Sequence, residues 1–200
     1  MKRTMILCAV AASALTLAAC QRQEAATADA NPGQTAPVNA AQDAMSTAVG
    51  QTSAATMGNT TAGFVSGAAM SDMYEIQAGQ MAQTKGMSAD VKAFGKMMVT
   101  EHTAMSNSMK PMFMAAGQTP PTELDQRRKG LLDNLTAASG ADFDRVYLAQ
   151  QEAAHAEAHT LAKAYADGGD NADLKAAATK AIPKIQMHHD KVKELRAKMG

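Results

Sequence analysis

The chain has 200 residues, with 19 Lys and Arg against 19 Asp and Glu, 4% aromatic residues and two cysteines. Balanced charge with no basic, aromatic-studded face excludes nucleic acid as a partner. Two cysteines leave no room for a disulfide framework. The scarcity of β-branched and aromatic runs weighs against a sheet.

The N-terminus reads as an export signal. Lys2 and Arg3 precede an apolar stretch from Met5 to Ala19, which is too short to span a bilayer. It ends in Leu17-Ala18-Ala19-Cys20, which resembles the lipobox of bacterial lipoproteins. That resemblance implies removal of residues 1–19 and acylation of Cys20. The membrane is then a partner through a lipid anchor, held by several acyl chains where a single one is marginal. Gln21, rather than an aspartate, points to an exported protein in the outer membrane, facing the periplasm. Cys8 leaves with the leader, so the mature chain has no thiol for catalysis. Losing Lys2 and Arg3 as well leaves a net charge of about −2.

Residues 20–60 are rich in Ala, Thr, Gln, Gly, Ser and Asn, are broken by Pro32 and Pro37, and show no apolar period. They are expected to form a flexible tether. Residues 61–200 are expected to form one domain. Breaks at Lys85-Gly86, Gly117 to Pro121, Ser139-Gly140 and Gly168-Gly169 divide it into four long helices. These cover about 62–84, 88–114, 142–167 and 171–199, with a shorter helix from about 122 between the second and third. Ser88 is placed as an N-cap, and Asp125 as an acid in the first turn of the short helix. Pro111 is expected to kink or end its helix and Pro183 to bend its own. Arg127-Arg128-Lys129 reads as a solvated helix surface.

Marking each helix at about 100° per residue shows what it buries. Val91, Phe94, Met98, Met105, Met109 and Met112 form one stripe, and His102 falls inside it. Leu174, Ala178, Ala181, Ile185, Val192, Leu195 and Met199 form another, with His188 between Ile185 and Val192. In the third long helix Glu152, His155 and His159 share a face beside the main stripe of Phe143, Val146, Tyr147, Leu161 and Tyr165. The first long helix offers two faces, one with Val65, Ala69, Met73 and Ile76, the other with Glu75 among Phe64, Ala68, Ala78 and Ala82. Each long helix thus contributes a candidate metal ligand: Glu75, His102, Glu152 with His155, and His188. Carboxylates and imidazoles on facing helices hold iron, manganese, zinc or copper. His159, His189, Met98 and Met105 are secondary candidates, since thioether with imidazole suits Cu(I). The same histidines also fit a hydrogen-bonded polar core, and methionines at stripe positions also fill core space. Both readings stay open.

Four stretches, "YEIQAGQMA" from Tyr74, "VKAFGKMMVTEH" ending at His102, "FDRVYLAQQEAAH" from Phe143 and "IPKIQMHHDKVKEL" from Ile182, together resemble the exported bacterial proteins of domain-of-unknown-function family 4142. The resemblance spans nearly all of residues 62–195. It implies an all-α, ferritin-like up-down four-helix bundle and carries the family's recurrent Glu and His onto Glu75, His102, His155 and His188. It implies no activity. A ferritin-like di-iron site needs two Glu-x-x-His motifs, and here only Glu152-x-x-His155 has that form, because Ile185 precedes His188.

No nucleophile elbow, phosphate loop or catalytic thiol is present in the mature sequence, and no motif identifies a protein partner. The expectation is a cell-envelope lipoprotein whose bundle binds a metal ion or a partner without catalysis. The alternatives are a metal-dependent redox or metal-storage protein, and a purely structural or interaction domain with a polar core.

Overall fold

The computed structural model describes residues 36–199. The export signal, Cys20 and the first part of the expected tether lie outside them. The described residues form six helices and no strand: α1 (Ala36–Met57), α2 (Thr61–Lys85), α3 (Ala89–Ala115), α4 (Gln126–Ala137), α5 (Gly140–Gly168) and α6 (Ala172–Ala197). None of these helices is long and apolar enough to cross a membrane.

The four long helices make the bundle. α2 and α3 form one hairpin, α5 and α6 the other, and α2 also packs on α5. Their starts follow local chemistry. Thr60, Ser88, Asp125 and Asn171 cap α2, α3, α4 and α6, each side chain accepting from the backbone N–H three residues on; this satisfies donors that have no partner inside a helix. Gly140 begins α5 at φ +56°, in the left-handed region that glycine tolerates best. Pro111 lies in the last turn of α3, which runs on to Ala115, and Pro183 lies inside α6.

Two apolar clusters fill the bundle. One centres on Tyr74, Phe94, Met98, Leu135, Phe143 and Tyr147. The other gathers Phe64, Met109, Phe113, Tyr165 and Leu174, with Phe64 stacked on Tyr165 at 4.3 Å between ring centroids. Of the two faces read on α2, the one with Glu75 turns inward: Phe64, Tyr74, Glu75, Ala78 and Ala82 are buried. Gly79 and Gly95 bring α2 and α3 unusually close. A Cβ on Gly79 would lie 2.7 Å from the Gly95 carbonyl oxygen, and one on Gly95 would lie 2.8 Å from that of Gly79.

Two expectations are corrected. The tether expected to reach residue 60 is helical from Ala36 to Met57. It packs on α5, and also touches α2 and α4. The face α1 turns inward carries Asn39, Asp43, Thr47, Gly50 and Ala54, small or polar residues that leave no hydrophobic period to detect. Hydrogen bonds hold it: Asp43 accepts from Asn134 at 2.7 Å and from Gln150 at 2.8 Å. The basic run is also more than a wet surface. Arg128 is buried, donating to Asp125 and Glu157, and Arg127 donates to Glu157 as well. Only Lys129 of the three remains largely exposed.

Candidate metal centre

Three helices deliver one imidazole each to the middle of the bundle: His102 from α3, His155 from α5 and His188 from α6. One nitrogen from each ring lies within 4.8 Å of the others, and the ring centroids are 5.3–6.1 Å apart. His155 and His188 are buried, and the His102 side chain is 14% exposed. Glu75 of α2, 1% exposed, lies beside this cluster, its Oε1 3.9 Å from His155 Nδ1.

The hydrogen bonds fix which ring nitrogens carry protons, because carbonyls and carboxylates only accept. His155 Nδ1 donates to the Gln151 carbonyl at 2.8 Å. His102 Nδ1 donates to Asp72 Oδ1 at 2.8 Å. His188 Nε2 donates to Glu101 Oε2 at 3.2 Å. The other nitrogen of each neutral ring is then left with its lone pair. Those of His102 and His155, both Nε2, are buried and meet no hydrogen-bond partner in the protein, as does Glu75 Oε2. An imidazole held at one nitrogen by a carboxylate or carbonyl, with the other free, is the arrangement of a metal ligand.

Electrostatics favour the neutral ring at His155 and His188, whereas at His102 a metal ion would displace a second proton. Burial pushes the His155 imidazole down to about 3, against a smaller rise from its bond to Gln151. Burial also lowers His188, with the negative charge of Glu101 opposing. For His102 burial is outweighed by the bond to Asp72 and by the charges of Glu75, Asp72 and Glu101, so its pKa is raised. Burial lifts the Glu75 carboxyl to about 7, held back by His102 and Gln151. A cation bound among the imidazoles would favour the ionised form of this carboxyl.

The geometry is close to coordination and short of it. Around one ion at about 2.0–2.1 Å, tetrahedral nitrogens would lie roughly 3.4 Å apart. The rings would therefore draw together by about an ångström or somewhat more, within reach of side-chain rotation.

The structure brings together His102, His155 and His188, sets Glu75 beside His155, and leaves the other candidates out. Glu152 pairs with Arg196 near the surface, because a spacing of three leaves it about 60° round the helix from His155. His159 is half-buried and stands outside the cluster. His189 faces Asp190 at 3.9 Å. Met98 is wholly buried in the apolar core. Met105 lines a small chamber next to His102. Sequence reasoning missed Asp72 and Glu101, which orient His102 and His188. Asp72 lies one turn before Glu75 on the same inward face of α2, the one signal that pointed to it.

Fold and site together define a helical-bundle protein with a buried cluster of three histidines and a glutamate. The chain belongs to the DUF4142 family, described as a domain of unknown function, whose profile matches residues 44–195. A solved structure, CopM in the Cu(II)-bound form, shares the fold with a TM-score of 0.60 at 17% identity, covering 70% of this chain and 98% of that one. None of the curated proteins matches the sequence.

Proposed function

We propose that this domain is a transition-metal-binding module of the cell envelope, holding one divalent ion between His102, His155, His188 and Glu75. The observation that carries this reading is the convergence of three imidazoles from three helices with two buried, unpartnered Nε2 atoms. A polar core that existed only for packing would pair those atoms with each other or with the backbone. Leaving a buried acceptor unpaired costs about 1–3 kcal/mol, and two such ring nitrogens belong to this one cluster. Three neutral nitrogens and one carboxylate suit an intermediate ion, and such donor sets favour copper(II) over the other first-row divalent ions. CopM, which shares the fold, was solved with Cu(II) bound, and that supports the same ion here. A single enclosed site fits binding or delivery better than bulk storage.

The chain would be exported and tethered through acylated Cys20, which places the metal site outside the cytoplasm. Metal content of the protein purified from its native compartment tests the reading, beside a variant carrying His102→Ala and His188→Ala. Stoichiometric copper or zinc in the wild type, lost in the variant, is the expected result. A wild type that carries no metal and takes up neither Cu(II) nor Zn(II) on reconstitution overturns it. Cys20→Ser should release the protein from the membrane fraction, and retention there would refute the anchor.

A further inference from the structure

Beyond the histidine cluster, we propose that Met105 and Met109 form a second metal site that takes a soft monovalent ion, Cu(I) or Ag(I). The two residues sit one turn apart on α3, a spacing that sets their side chains side by side, about 5–6 Å between Cβ atoms. Both line a chamber of about 80 Å³ that also touches His102 and Asp72, and they supply the only sulfur atoms among its lining residues. Its remaining wall is mostly alanine with Phe64, Leu161 and Ile185.

Methionine in a core ordinarily bends to close gaps. Here two methionines border a space that stays open and is larger than a single water needs. That is the placement of donors around a ligand rather than of filler. Thioethers are neutral and soft, so they select Cu(I)-like ions over hard ones. The apolar wall adds to the selection, because the cost of desolvating an ion rises steeply with its charge. The Asp72 carboxylate on the chamber wall balances a single positive charge. Met109 is 8% exposed and Met105 half-buried, so Met105 stands on the solvent side as the first donor an entering ion meets.

The test is an Ag(I) titration of the mature chain with its methionine methyl groups labelled with ¹³C, followed by NMR. The Met105 and Met109 signals should move first and saturate before those of the exposed Met45, Met57, Met87, Met114 and Met187. The double variant M105L/M109L, close to volume-conserving, should weaken the tightest Ag(I) affinity at least about tenfold and leave Zn(II) binding unchanged. Exposed methionines moving first, or unchanged Ag(I) affinity in the variant, overturns the proposal. Failure of the histidine site is separately visible, because Zn(II) would then leave the His102, His155 and His188 ring signals in place whatever Ag(I) does.

Discussion

Glu75 and His155 lie side by side in the core, and their protonation pulls stability in opposite directions. The His155 imidazole falls from 6.5 to about 3 on folding. The unfolded chain therefore takes up a proton that the folded one refuses, and this group destabilises the metal-free protein as pH drops from about 6.5 towards 3. Glu75 rises from 4.5 to about 7. Its contribution is full below 4.5 and is lost as pH climbs through 7. Glu75→Gln imitates the protonated carboxyl. The metal-free variant should thus gain stability over wild type from about pH 4.5 to 7 and hold that gain above, as read by denaturant midpoints across pH. With metal present the order should reverse at pH 7.5, because the amide removes an anionic ligand. A constant offset at every pH would show that the carboxyl does not titrate on folding. His102 and His188 were legible from helical periodicity alone. Asp72 and Glu101 were not, because their roles depend on neighbours from other helices.

At the scale of the helices, the site depends on how closely α2 approaches α3. Glu75 and Asp72 come from α2 and His102 from α3, and the contact between Gly79 and Gly95 sets their separation. A methyl group on Gly95 would meet Ala82 Cβ at 2.7 Å and the Gly79 carbonyl at 2.8 Å; neither is the end of a flexible chain. Gly95→Ala should cost about 1–3 kcal/mol, as overpacking does, and should also weaken metal affinity by spreading the ligands. Thermal denaturation with a metal titration measures both. Normal affinity in a destabilised variant would separate the helix contact from the site. The capped start of α3 at Ser88 was readable because a cap is a local device. α1 was not, because its buried face is alanine, glycine and hydrogen-bonded polar residues such as Asp43.

For the whole molecule, a metal that bridges four helices couples binding to folding. An ion that binds only the native state stabilises by about 2.7 kcal/mol at a free concentration one hundred times its dissociation constant. Excess Cu(II) or Zn(II) should therefore raise Tm by several degrees, and a chelator should reverse the shift. The His102→Ala, His188→Ala variant should show no shift. An equal rise in that variant would place the bound ion elsewhere. α3 and α6 touch only lightly compared with the two hairpins, so metal joins parts of the bundle that apolar packing joins least.

The all-helical class, the four long helices and the inward placement of His102 and His188 follow from the sequence itself. Apolar periodicity, glycine breaks and caps act between residues a few positions apart, and a single chain displays them. The sequence also carries the case for export and for a lipid anchor at Cys20. Only the tertiary structure decided that His155, rather than Glu152, joins the cluster, that Glu75 lies beside it, and that Asp72 and Glu101 hold the rings. The structure alone also turned half of the expected tether into a helix. Each of these depends on which faces of different helices meet, and such meetings join residues from 30 to 107 positions apart, beyond the reach of any local pattern.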